Sequence, residues 1–193
     1  MKKTLITLSG LVLTCGLAFA DADVGKAAPD FTVTDVNGKT HKLSDHKGKI
    51  VVLEAYNLDC PYVANHYNTG AMQELQGNVT GKDVVWLTVN SSYSDAAKAK
   101  KEAADKKIKA TVVHDPAGKI GKAYGFKTTP HMVVVGKDGK VAYNGAIDDK
   151  AETEGDPRAA KNYVKDAVGK LQAGQPVAVA KTKPYGCGVK YAN

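Results

Sequence analysis

Apolar and polar positions alternate only briefly along this chain, and its longer apolar stretches run almost without interruption. Ile50 to Tyr56, Val84 to Val89 and Met132 to Val135 are such runs. Near-continuous runs without alternation are the signature of strands buried on both faces, so they predict a central sheet covered by helices. Ahead of them, Phe31 to Thr34 and Thr40 to Leu43 flank Asn37-Gly38, a hairpin signal because both turn residues tolerate positive φ. Met132 to Val135 and Val141 to Tyr143, joined through Lys137-Asp138-Gly139, predict a second hairpin.

Helical spacing fills the intervals. Pro61 to Leu75 places Val63, Tyr67, Ala71 and Leu75 four residues apart, with Asn68-Thr69-Gly70 as a point of kinking. Asp95 to Lys107 is rich in Ala and Lys, with Ser94 or Asp95 as its cap. Gly118 to Tyr124 predicts a short helix ending at Gly125, and Pro157 to Leu171 a last one, capped by Asp156 with Ala160, Tyr163, Val164, Ala167, Val168 and Leu171 on one face. The order is a hairpin, then β, α, β, α, β, α, β, β, α. This is an α/β chain with a mixed central sheet flanked by helices, an N-terminal β-hairpin and a C-terminal tail over 173–193. No linker or repeat divides it, so one domain is expected over 21–193.

Residues 1–20 have a different character. Lys2 and Lys3 precede an apolar run from Leu5 to Leu17 and then Ala18-Phe19-Ala20, the layout of a cleavable secretory signal. The run is shorter than the roughly 20 apolar residues of a spanning helix, so cleavage before Asp21 and no stable membrane anchor are expected. The expected destination is the periplasm or the exterior. Loss of the leader removes Cys15 and leaves Cys60 and Cys187 in an oxidising compartment.

Composition narrows the partners. At 193 residues, 43% hydrophobic and 24% charged, the chain is an ordinary globular one, with a net charge of +7. The positive charge is scattered lysine, and Arg158 is the only arginine. Nucleic-acid readers lean on arginine and clustered basic faces, so no nucleic-acid partner is expected. No cofactor motif is present.

The sharpest chemical feature is Cys60-Pro61, directly after a buried strand and at the start of a helix. Proline suits the first helical position, which makes Cys60 the capping residue. Its sulfur then meets free backbone N–H groups and the positive end of the helix dipole, and both favour thiolate. Asp59 beside it acts in the opposite sense.

This strand, Cys-Pro-Tyr and helix resembles the thioredoxin superfamily, and Cys60-Pro61-Tyr62-Val63 is similar to the glutaredoxin CPYC motif with Val63 in place of the second cysteine. Thr128-Thr129-Pro130, ahead of the strand at Met132, resembles the superfamily's cis-proline loop, which implies an edge that holds an extended substrate chain. More closely, residues 24–191 resemble exported proteins of the redoxin, or alkyl hydroperoxide reductase and thiol-specific antioxidant, grouping, in its peroxiredoxin-like branch. The matching segments are Gly25 to Phe31, Asn57 to Tyr67, Gly145-Ala146-Ile147-Asp148-Asp149 and the tail Lys183-Pro184-Tyr185-Gly186-Cys187.

Departures from the grouping shape the expected chemistry. The peroxide-holding PxxxTxxC loop has Leu53 and Asn57 at its proline and threonine positions, and Arg158 is remote in the last helix. Val63 removes a nearby resolving cysteine, which leaves Cys187, set between Gly186 and Gly188 in a tail flexible enough to swing to Cys60. The resemblance thus implies a thiol-disulfide oxidoreductase or peroxiredoxin-like antioxidant protein, with Cys60 as nucleophile and Cys187 as resolving partner. Glu54, six residues before Cys60, corresponds to the buried acid of thioredoxins and is the expected proton handler. Asn57, Pro61, Tyr62, Thr129 and Pro130 would line the substrate edge. The substrate class is a protein or small-molecule thiol or disulfide, with hydroperoxide as a further candidate and no electron donor named.

Two alternatives stay open. One is a non-catalytic domain stapled by a Cys60 to Cys187 disulfide. The other is soft-metal binding, copper above all, by Cys60, His66 and His131. His41, His46 and His114 read as surface or turn residues, and Asp148-Asp149 as a turn.

Overall fold

A computed structural model of the chain describes residues 22–92 and 95–192. The leader over 1–20 and the alternative cap Ser94 lie outside the described residues. Seven strands form one mixed sheet: β1 (Thr32–Asp35), β2 (Thr40–Lys42), β3 (Ile50–Ala55), β4 (Val84–Asn90), β5 (Thr111–His114), β7 (His131–Val135) and β8 (Val141–Gly145). Two short strands, β6 (Thr128–Thr129) and β9 (Cys187–Gly188), pair separately. The order across the sheet is β2-β1-β5-β4-β3-β7-β8. Strands β3, β4 and β5 run parallel, while the β1-β2 hairpin and the β7-β8 hairpin add antiparallel flanks.

Strand β3 is central, and all six of its residues are buried. Ile50 and Val52 join Trp86, Met132 and Val134 on one face, while Val51 and Leu53 join Leu87, Val133 and Val135 on the other. Each such aliphatic side chain taken fully out of water contributes about 1.5–3 kcal/mol, which explains why no polar alternation marks these strands.

The helices are α1 (Pro61–Asn68), α2 (Ala71–Val79), α3 (Ala96–Asp105), α4 (Lys119–Ala123) and α5 (Tyr163–Gln172). The stretch read as one helix from Pro61 breaks into α1 and α2, because Gly70 takes a left-handed conformation with φ +78° and restarts the chain in a new direction. Arg158 fastens the break: its guanidinium donates to the Thr69 carbonyl at 3.0 Å and to Glu74 at 2.7 Å. Asp95 caps α3, accepting the Lys98 amide at 2.6 Å.

The expected helix from Pro157 is also divided. Asp156 does act as a cap, accepting the Arg158 amide at 2.9 Å, but the result is a single 3-10 turn over Pro157–Ala159, and α5 begins four residues later behind Asn162. Between them the Lys161 amide goes to Asp149 at 2.9 Å and the Tyr163 amide to the Ile147 carbonyl at 2.9 Å. Those long-range bonds remove the donors that a continuous helix would need. Arg158 therefore stands in the turn, not in the last helix. In the first hairpin only Gly38 has positive φ; Asn37 does not. His41 proves buried, its Nε2 2.9 Å from Asp35 Oδ2, because its strand position points inward beside that carboxylate.

The tail after α5 is a strap rather than a loose end. Thr182 Oγ1 accepts the Ala146 amide at 2.8 Å, Val189 N–H donates to the Lys127 carbonyl at 3.2 Å, and the Tyr191 hydroxyl donates to the Phe126 carbonyl at 2.8 Å. Among the described residues no helix is long and apolar enough to cross a membrane.

Candidate active site

Strand β3 ends in a turn that delivers Cys60 to the start of α1. Asn57 makes this turn, its carbonyl accepting the Cys60 amide at 3.1 Å and its side-chain oxygen the Asp59 amide at 3.0 Å. Cys60 is the N-cap, extended at φ −84° and ψ 121°, with Pro61 opening the helix. Its carbonyl takes the first helical bond, from Ala64 N–H at 2.8 Å.

The thiol is 1% exposed and donates to the Thr129 carbonyl at 2.9 Å. The Thr129–Pro130 peptide bond is cis. Strand β6 pairs antiparallel with β9, so Thr129 lies opposite Cys187. Two cysteines 127 positions apart thus meet on the cis-proline loop. Both are free thiols.

Their protonation is unequal. Burial pushes the Cys60 thiol up, yet hydrogen bonding from Cys187, the Thr129 side chain and the Val63 amide outweighs it and holds the thiol below its ordinary value. Cys187 is pushed up to about 11 by burial and by its bond to Cys60. Of the two sulfurs, Cys60 is therefore the more readily deprotonated. Thr129 Oγ1 is bonded to no other group, which leaves its hydroxyl to the Cys60 sulfur. Asp59 contributes little against this, since it is an exposed residue paired with Lys98 Nζ at 2.9 Å.

Glu54 is fully buried on the same sheet face, in a cage of donors. Trp86 Nε1 and Thr88 Oγ1 each lie 2.9 Å from Oε2, the Tyr67 hydroxyl 2.9 Å from Oε1, and Gln76 Nε2 3.3 Å from Oε2. Burial raises its pKa and these donors oppose the rise. Neither cysteine is among its hydrogen-bond partners.

The three proposed metal ligands do not converge. His131 sits on β7 with its ring turned to the opposite sheet face from Cys60, where Nε2 meets Asn144 Oδ1 at 2.7 Å and Nδ1 accepts the Lys127 amide at 3.2 Å. Among the described residues no group of three or more His, Cys, Asp or Glu side chains is placed to hold a metal.

His66 instead faces Asp148 Oδ2 at 3.6 Å. That aspartate, read as part of a turn, is buried and accepts the Tyr185 hydroxyl at 2.6 Å. Tyr185 leans on Tyr62 with ring centroids 5.7 Å apart. The acidic loop and the tail motif were both visible in the sequence, but nothing in it paired them.

The tail's expected flexibility gives way to close packing. Gly186 lies against the Thr129 carbonyl with φ +117°. Glycine is required there for approach, not for motion.

The sheet order, the cysteine at the helix start and the cis-proline loop beside it define a thioredoxin-like α/β protein. A family model described as the AhpC/TSA family matches residues 24–144, and the chain belongs to that family. Thiol-disulfide oxidoreductase ResA of Bacillus thuringiensis is 34% identical over 119 residues, 62% of this chain and 67% of the relative. Among solved structures, an uncharacterized conserved protein from Geobacillus kaustophilus superposes with a TM-score of 0.78 at 25% identity, over 89% of this chain and 93% of its own. A putative thiol:disulfide interchange protein DsbE from Chlorobium tepidum superposes with a TM-score of 0.57 at 28% identity, over 64% and 85%. Cys187 and the strap lie beyond the residues of the family match.

Proposed function

We propose that the protein is an exported thiol-disulfide oxidoreductase in which Cys60 attacks and Cys187 resolves. The observation that carries this is the meeting of Cys60, at a helix N-terminus and with its thiol held below its ordinary value, with Cys187 across the cis-proline loop. The names of relatives such as ResA support the same class. In the forward step the Cys60 thiolate attacks a disulfide, forming a mixed disulfide and releasing one thiolate. Cys187 then gives up its proton and attacks the Cys60 sulfur, and the second substrate thiol leaves. The substrate gains two electrons, and the pair ends as a disulfide that an external thiol donor must reduce.

Residues 1–20 would direct the chain to the periplasm or the exterior, and 21–193 would be the working domain. Thr129 and Pro130, with Asn57, Pro61 and Tyr62, would line the edge that receives the partner. Glu54 would act on protons through its buried cage. A disulfide is favoured over a hydroperoxide because Arg158, the one guanidinium available to polarise a peroxide, is committed to Glu74, Asp156 and the Thr69 carbonyl.

Equilibration of the purified protein in glutathione buffers tests the proposal, with Cys60→Ser and Cys187→Ser compared by mass. A reduction potential above roughly −250 mV and a Cys60 that traps glutathione in Cys187→Ser are expected. A potential below about −300 mV with an inert Cys60 would leave only a structural staple. Mass analysis of the secreted or periplasmic chain tests cleavage before Asp21.

A further inference from the structure

Besides its anchors at Thr182, Val189 and Tyr191, the strap makes a polar contact close to Cys187 that disulfide exchange itself does not use. Two residues before Cys187, the Tyr185 hydroxyl donates to Asp148 Oδ1. Asp148 is 2% exposed, and a carboxylate so withdrawn from water is costly unless donors surround it. Its Oδ1 has Tyr185 and the Lys150 amide at 3.0 Å, while Oδ2 has no hydrogen-bond partner and lies 3.6 Å from His66 Nε2, which also contacts the Tyr185 hydroxyl at 3.4 Å. The tail's tyrosine is therefore one of the few groups that compensate this buried acid. The bond spans 37 positions of sequence and ties the loop after β8 to the segment that bears Cys187.

We propose, resting on the redox reading above, that Tyr185 and Asp148 are positioning residues that hold the strap in register, so that Cys187 stays opposite Thr129 with its sulfur against Cys60. They act through the tail and not on a reacting atom. Thr182 and Tyr191 anchor the strap at either end, so loss of the Tyr185 hydroxyl leaves Cys187 tethered but less often in place. The effective concentration of Cys187 at Cys60 then falls. A hydrogen bond to a carboxylate is strong enough for about a tenfold change.

Glutathione is the probe. Two glutathiones reduce the Cys60–Cys187 disulfide to two thiols and leave one oxidised glutathione. The proportion of internal disulfide to Cys60–glutathione mixed disulfide reads the effective concentration directly. Tyr185→Phe is expected to lower it about tenfold and Asp148→Asn to lower it in the same direction. Tyr124→Phe, which removes another buried hydroxyl bonded to the Pro29 carbonyl at 2.6 Å, is expected to match wild type. A Tyr185→Phe value within twofold of wild type, or an equal fall in Tyr124→Phe, overturns the positioning role alone. A wild-type protein that never forms the internal disulfide overturns the redox reading and this role with it.

Discussion

Gly186 rests on the backbone of Thr129 with no room for a side chain between them. A Cβ on Gly186 would stand 2.8 Å from the Thr129 carbonyl carbon and 3.3 Å from Pro130 Cδ, and the residue's φ of +117° is strained for any other amino acid. Gly186→Ala should therefore lift β9 from β6 and uncover Cys60. Alkylation of Cys60 by iodoacetamide, followed by mass, is expected to accelerate about tenfold or more. An unchanged rate would mean that the strap does not shield the thiol.

The donor set around Cys60 predicts a graded response at position 187. The thiol is held low partly by hydrogen bonding from Cys187. Cys187→Ala removes that side-chain donor and should raise the midpoint of the Cys60 alkylation profile against pH, whereas Cys187→Ser keeps a hydroxyl and should raise it less. Thr129→Val, lacking the free hydroxyl, should also raise it. Equal midpoints in wild type and Cys187→Ala would contradict the assignment.

At Glu54 the prediction concerns stability. Glu54→Leu would orphan the donors of Tyr67, Gln76, Trp86 and Thr88, a loss of about 3–5 kcal/mol, since each buried donor left unpaired costs about 1–3 kcal/mol before the site relaxes. Glu54→Gln keeps an acceptor and should cost less, about 1–2 kcal/mol. Urea unfolding of the two variants measures the difference. If Glu54 also moves protons, Glu54→Gln will slow the resolving step at Cys187 by more than its stability loss explains.

His66 gives the fold a pH dependence of defined sign. Burial lowers its pKa to about 4. Between about pH 6.5 and 4 the unfolded chain binds a proton that the folded chain refuses, so stability present above pH 6.5 is lost as pH falls through that window, by up to about 3 kcal/mol. Asp148 is raised by burial and works in the opposite direction, gaining a proton in the folded state first. The contrast between wild type and His66→Gln isolates the histidine: the variant should lose less stability from pH 7 to pH 4.5 in urea titrations.

Much of this was legible because the signals are local. Near-continuous apolar runs marked β3, β4 and β7, and Cys60-Pro61 marked a capped helix whose sulfur meets backbone amides. Strand alternation also held the answer for His131: Met132 and Val134 face the Cys60 side, so residue 131 must face away. The division after Pro157 was not legible, because the cap at Asp156 is a true signal and what stops the helix is the loop at 147–149, which takes the next amides. The same holds for Asp148 and Tyr185. Sequence carries no register for two irregular segments, and their pairing is set by how the strap crosses the end of the sheet.

That crossing has one more consequence. Strand β8 is the last in the sheet, and its outer side would offer unpaired backbone groups to any other chain. Residues 25–28 cover one end, through the Gly25 amide on the Val141 carbonyl at 2.8 Å, and the strap covers the other, through the Asn144 amide on the Ala180 carbonyl at 3.0 Å. A truncation of the tail would thus strip a guard from the sheet together with a thiol. Self-association by the truncated chain would then reflect a bared strand rather than lost redox chemistry, and single substitutions are the cleaner way to separate the two.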